Sequence, residues 1–213
     1  MMKLYSFFRS GTSHRLRIAL NLKGIKTEYI PVDLRTEEHQ GKGFKAINPQ
    51  GLVPALVDEK ATLTQSPAII EWLEEAYPTP ALLPVDHHHR AYVRALAAIV
   101  GCDMHPLNNR RVLERLRHQL AHDEATINDW CQTWIMDGFD AFEALLVEHQ
   151  LHGAFCFGDQ PGLADAYLVP QVESARRFKV DLQRWPLIMK IEANCMQLES
   201  FIQAAPGQQP DAA

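Results

Sequence analysis

The first 101 residues of this 213-residue chain contain no cysteine, and the four cysteines that follow, Cys102, Cys131, Cys156 and Cys195, form no C-x-x-C pair. Such wide spacing argues against a disulfide framework or a zinc site and fits reduced, buried thiols. Positive charge is also scarce: 21 Lys plus Arg stand against 26 Asp plus Glu, a net charge of −5. That balance argues against broad contact with a nucleic-acid backbone. No apolar run approaches the ~20 residues of a membrane span. Met1-Met2-Lys3-Leu4-Tyr5 lacks the apolar stretch and small-residue cleavage site of a secretory signal. No membrane partner is therefore expected, and the cytoplasm is the expected compartment. His87-His88-His89 has no carboxylate or cysteine set beside it, and adjacent residues diverge on a helix or strand, so no metal site is expected. Beyond Asp86, strand signals nearly vanish.

What is present divides the chain in two. Lys3 to Phe8 reads as a strand, Arg9 to Ser13 as a turn, and His14 to Lys23 as a helix stopped by Gly24. Thr27 to Val32 is a second strand, which a βαβ unit of this size makes parallel to the first. Asp33 to Lys45 reads as a polar loop with a short helix near Glu37 to Ala46. Asn48 to Val57 holds a short strand bracketed by two prolines and a glycine, joined as a hairpin to a candidate strand at Ala61 to Thr64, and Ser66-Pro67 opens a helix with Ser66 as its cap. Tyr77 to Asp86 carries Pro78, Pro80 and Pro84 and reads as a linker. Past it, helices are expected over 87–120, 124–150, 163–179 and 186–204, the first kinked at Pro106. Gly207 to Ala213 is expected to fray. The expected domains are 1–80, an α/β unit, and 87–213, all-helical.

Three elements of the first domain could carry chemistry. A helix N-terminus at Ser10-Gly11-Thr12-Ser13 offers unpaired N–H groups and hydroxyls to an anion, including a thiolate; the alternative is that Thr12 or Ser13 is only an ordinary helix cap. Val53-Pro54, in the cis form, would aim a peptide outward for pairing, whereas a trans bond would leave an ordinary strand edge. Gln65-Ser66 opens a helix and so can receive a carboxylate or simply cap it.

Taken together, the strand, the serine-containing turn, the helix, Val-Pro, and then Gln65-Ser66-Pro67-Ala68-Ile69-Ile70-Glu71-Trp72-Leu73 resemble the glutathione transferase superfamily over nearly the whole chain. Ser10 to Leu20 is similar to the zeta-class signature, which reads serine-serine-cysteine-serine and then arginine, hydrophobe, arginine, isoleucine, alanine, leucine. Gly101 to Leu113 and Tyr167 to Phe178 resemble the bacterial maleylpyruvate isomerases of that class, whose other members include maleylacetoacetate isomerases. The resemblance implies a thioredoxin-like N-terminal domain, an all-α C-terminal domain, glutathione as cofactor and a homodimer.

Residue by residue, the resemblance assigns thiol activation to Ser10, assisted by Thr12 and Ser13. Gly11 and Thr12 replace the second serine and the cysteine of the signature. His39, Val53, Pro54, Gln65, Ser66, His105, Asn108 and Asn109 become cofactor-binding residues. A domain without a thiol of its own cannot exchange disulfides, so glutathione must supply the sulfur. The implied substrate is a small dicarboxylate keto acid, which arginines receive best. Arg9, Arg111 and Arg177 are the expected receptors, with Arg176 able to exchange roles with Arg177, and Asn108, Arg111 and Arg115 expected on one helix face. The implied reaction is cis–trans isomerisation of maleylpyruvate to fumarylpyruvate. The alternatives are isomerisation of maleylacetoacetate, glutathione conjugation or dehalogenation, and a noncatalytic binding module.

Overall fold

The computed structural model of the chain describes residues 1–212. It divides into two compact units, Met1–Leu82 with the segment from Met196, and Leu83–Cys195. The break between Leu82 and Leu83 falls in the proline-rich stretch. The assignment of the last residues differs from the expectation, because the segment after Met196 packs with the first unit.

In that unit, β1 (Lys3–Ser6), α1 (Gly11–Leu22) and β2 (Glu28–Pro31) form the βαβ unit, with β1 and β2 parallel and Leu4 opposite Tyr29. A 3₁₀ turn at Glu38–Gln40 and α2 (Lys42–Lys45) cross to β3 (Ala55–Val57) and β4 (Thr62–Thr64), an antiparallel hairpin whose first strand pairs antiparallel with β1. The sheet order is β2-β1-β3-β4, and α3 (Ser66–Ala76) closes the unit. This is the expected thioredoxin-like α/β domain. Residues 13–20 of α1 are all buried, so the helix carries its polar His14, Arg15 and Arg17 inside rather than on a wet face.

Arg17 explains where the chain's final segment goes. Its Nε donates to the Ala204 carbonyl at 2.9 Å, while Asn21 donates to the Ser200 carbonyl at 2.9 Å. Between and beyond them, Phe201 and Ala204 are fully buried and Asp211 accepts from the Phe8 N–H. Apolar burial and paired backbone groups thus hold α9 (Glu199–Ile202) and the residues after it against α1. The expected fraying is not seen up to residue 212; Ala213 lies outside the described residues.

The second unit is helical: α4 (His87–Ala98), α5 (Arg110–Glu114), α6 (Glu124–His149), α7 (Leu163–Arg177) and α8 (Pro186–Cys195). Pro106 acts on the turn before it. Because proline has no N–H and its ring crowds the carbonyl four residues back, the chain over Ile99–Met104 widens to a π-turn, with the His105 N–H reaching the Val100 carbonyl. Met104 is fully buried there, and a Cβ on Gly138 of α6 would overlap its side chain, which is why α6 carries glycine at that level. The α7 start uses Asp165, which is fully buried and accepts from the Gly162 N–H at 2.8 Å and the Cys156 N–H at 2.9 Å. Glycine is therefore a sufficient cap at 162. The expected single helix over 186–204 breaks after Cys195.

Candidate functional site

Helix α1 begins earlier than its periodicity suggests, at Gly11, and its cap is Ser10 rather than Thr12 or Ser13. Ser10 is extended (φ −71°, ψ 121°), and its Oγ accepts from the Ser13 N–H at 3.3 Å. Thr12 points the other way. Its hydroxyl donates to the Val53 carbonyl at 3.0 Å, and its Oγ1 lies 2.9 Å from Ser10 Oγ. Thr12 has one proton and Val53 offers only an acceptor, so the bond between the two hydroxyls must be donated by Ser10. The order of protons is thus Ser10 to Thr12 to the Val53 carbonyl. A hydroxyl turns freely about its C–O bond, so the Ser10 proton can be turned toward a sulfur while Thr12 stays tied to Val53.

The Val53-Pro54 bond is cis. The loop before it is built by residues that the sequence reading did not single out. Asn48, almost fully buried, donates to the Leu52 carbonyl at 2.6 Å and accepts from the Gln50 N–H at 3.1 Å. Gly51 has φ +61°, and a Cβ there would stand 2.9 Å from the His39 carbonyl. That close approach brings the buried His39 and its 3₁₀ turn against the loop. Asn48-Pro49 and Gly51 are turn signals, which is where sequence could have pointed to these residues. Beneath them lies an apolar cluster of Phe7, Val32, Phe44 and Val53.

The third element differs in detail from its expectation. Gln65, not Ser66, occupies the cap position of α3; Ser66 is the first helical residue and Pro67 the second. Gln65 sits at φ 66°, a left-handed conformation that costs a side chain ~1–3 kcal/mol and tends to be kept at ligand clamps. Its side-chain amide donates to Gln50, a further residue that sequence reading missed. Ser66 is buried, and its Oγ has no hydrogen-bond partner. An orphaned hydroxyl and free N–H groups at a helix start suit the carboxylate of a peptide-like cofactor. Ser10, Thr12, Val53 and Pro54 are joined directly, and Gln65 and Ser66 open the helix that follows β4. Arg9 is exposed, directly before Ser10.

In the second unit, the proline ends the helix before Asn108. Asn108 donates to the Cys131 carbonyl at 3.5 Å, and its buried Oδ1 has no partner. Asn109 is the cap of α5, accepting from the Arg111 N–H. Asn108 therefore does not share a helix face with Arg111 and Arg115, contrary to expectation. His105 lies at the end of the π-turn, half-buried. Arg111 is exposed, and its neighbour Arg110 has Nε 3.9 Å from Glu114. Glu192 binds Arg176 through both oxygens at 2.8 and 3.0 Å. Arg177 bonds Ser174 on its own helix.

The thiols differ from one another. Cys131, Cys156 and Cys195 are buried, whereas Cys102 is exposed, against the expectation that all four are buried. Burial pushes Cys131 up to about 12 and raises Cys156 and Cys195 well above the ordinary thiol range. These three stay protonated and unreactive at neutral pH. The native protein is expected to take up an alkylating agent rapidly at Cys102 alone, and at all four thiols in denaturant. Mass spectrometry of the labelled chain checks this.

A thioredoxin-like unit with a serine-capped helix facing a cis-proline loop defines a thiol-cofactor protein, and comparison with known proteins agrees. Residues 9–76 match the glutathione S-transferase N-terminal domain family. A maleylpyruvate isomerase from a Ralstonia species is 65% identical over the full length of both chains. A solved structure described as the holo form of maleyl pyruvate isomerase, a bacterial zeta-class glutathione S-transferase, superposes with a TM-score of 0.97 at 64% identity, over 99% of this chain and 100% of that one. A maleylacetoacetate isomerase from Anaeromyxobacter dehalogenans, solved with glutathione in its active site, gives 0.89 at 41% identity, over 100% of this chain and 98% of that one. The chain belongs to the glutathione S-transferase family, zeta class.

Proposed function

We infer that this protein is a glutathione-dependent cis–trans isomerase that converts maleylpyruvate to fumarylpyruvate. The full-length 65% identity to a maleylpyruvate isomerase carries this reading. Maleylacetoacetate is the second substrate, favoured by the likeness to a glutathione-bound maleylacetoacetate isomerase. When bound, glutathione supplies a thiolate that adds reversibly to the cis double bond, so that the bond can turn before the thiol leaves unchanged.

The protein's residues take the remaining roles. Ser10 donates to the sulfur and, with the N–H groups of α1, favours its anionic form. Thr12 holds Ser10 to the Val53 loop, and Ser13 supplies the N–H that fixes Ser10 Oγ. The Val53-Pro54 peptide pairs with the cofactor backbone, and Gln65 with Ser66 receives its glutamyl carboxylate. His39, His105, Asn108 and Asn109 complete the cofactor contacts, Asn109 while also capping α5. Arg9, Arg111 and Arg177 receive the substrate carboxylates and the negative charge that develops on the keto acid. The bidentate Arg176–Glu192 pair supports Arg177 over Arg176 for this role.

The test supplies each keto acid with glutathione at a small fraction of its concentration. The expected result is complete conversion to the trans product with no loss of thiol. Stoichiometric thiol consumption would instead establish a conjugating enzyme. The family further supports a cytoplasmic homodimer; sedimentation at the 24.2 kDa of one chain would remove the dimer.

A further inference from the structure

We propose that Asp211 is a positioning residue for thiol activation, acting through the backbone of Phe8 on the turn that carries Ser10. The proposal rests on the assignment of the sulfur to Ser10.

Phe8 lies beyond the last paired residue of β1, so neither sheet nor helix supplies a partner for its N–H. Asp211, 203 residues away, supplies it: Oδ2 accepts from the Phe8 N–H at 3.0 Å. On the other side of the same residue, the Phe8 carbonyl accepts from Arg17 Nη2 at 2.9 Å. Arg17 Nη1 also reaches the Phe7 carbonyl at 3.4 Å, which in turn accepts the Ser10 N–H at 3.1 Å. Both peptide units flanking Phe8 are therefore clamped by charged side chains, and the Ser10 backbone hangs from the same clamp. Bonds to charged groups are shorter and about twice as strong as neutral ones.

Asp211 is itself braced. Its Oδ1 accepts from the Tyr29 hydroxyl at 2.7 Å, and Tyr29 stands opposite Leu4 in the paired strands. Burial, with the Asp211 bond adding to it, holds the Tyr29 hydroxyl far above its ordinary range, so it remains a donor at any working pH. The Arg35 guanidinium lies 5.9 and 5.7 Å from the Phe7 and Phe8 ring centroids and closes the outer side of the turn. The segment after Met196 thus provides more than packing: it ends in a carboxylate aimed at the peptide two residues before Ser10. A donor that must meet a developing anion works only when held within a few tenths of an ångström, and misplacement costs rate rather than binding.

The experiment titrates the thiolate absorption of protein-bound glutathione against pH and measures turnover and melting temperature on the same proteins. In the native protein, the bound thiol should ionise below the ~8.5 of a free thiol. Asp211→Ala is expected to move that ionisation up by about one unit and to lower kcat about tenfold at neutral pH, with KM for glutathione little changed. Asp211→Asn can accept from the Phe8 N–H and donate to Tyr29, so it should restore both readings. Tyr29→Phe removes the brace together with the hydroxyl's bond to Ser6, leaves the Asp211 bond to the Phe8 N–H in place, and should give a smaller shift in the same direction. A lower melting temperature with unchanged ionisation and kcat in the Ala variant would mean plain structural glue and overturn the proposal. Should the Ala variant fail to fold, an unchanged ionisation in Tyr29→Phe overturns it instead. If the native protein's own bound thiol ionises like free glutathione, the Ser10 assignment falls, and this proposal with it.

Discussion

Changing Ser10 to Ala is expected to lower kcat/KM at neutral pH by about 10²–10³-fold, the usual cost of removing one preorganised donor from a developing anion. The hydroxyl makes two bonds in the resting structure, accepting from the Ser13 N–H and donating to Thr12. The second bond uses the hydroxyl's one proton, which can turn from Thr12 to a sulfur, and alanine has no replacement for it. The loss should shrink as pH rises through the free-thiol value of ~8.5, because glutathione then ionises unaided. A pH-rate profile therefore separates thiol activation from a general loss of structure. The cap is lost as well, at about 1 kcal/mol, which a denaturation curve reads independently. An unchanged rate in Ser10→Ala would withdraw the assignment.

The largest effect on stability is expected at Lys23. Its ammonium is fully buried and places its three donors on Glu74 Oε2 at 2.8 Å, the Tyr77 carbonyl at 2.7 Å and the Pro80 carbonyl at 2.9 Å. Glu74 Oε2 also accepts the Leu82 N–H at 2.9 Å. The first half of the proline-rich stretch that reads as a loose linker, Tyr77 to Leu82, is thus fastened to a buried ion pair between the residue that ends α1 and Glu74 of α3. Lys23→Ala strands a buried carboxylate and two backbone carbonyls, and should cost about 3–5 kcal/mol. Adding Glu74→Gln removes the stranded charge while keeping an acceptor for Leu82, and should recover part of the loss. Urea denaturation of the single and double variants measures both. A loss below about 1 kcal/mol in Lys23→Ala would show that water reaches the pair.

The local code was legible where one residue decides the outcome. Gly24 stopped α1, Pro106 disturbed the helix around it, and turn residues separated the strands close to where they separate. Errors came from competition between neighbours. Three hydroxyl residues stand near the start of α1, and each is a sound cap; the choice fell to Ser10 because Thr12 is drawn to the Val53 carbonyl, a partner 41 residues away. Ser66 likewise looked like a cap, but the left-handed backbone at Gln65 shifts the helix start by one residue.

Sequence alone determined the order of elements, the α/β and helical halves, and the family's motif at Ser10, Val53-Pro54 and Gln65-Ser66, because these depend on short-range propensity and spacing. Tertiary structure decided the rest. It gave the Ser10 proton its direction, chose Glu192 as the partner of Arg176, exposed Cys102 while burying the other thiols, and folded the segment after Met196 back to place Asp211 on Phe8. Each of those outcomes is a pairing between groups far apart in the chain. Which donor meets which acceptor there is set by distance in space, which spacing along the sequence does not encode.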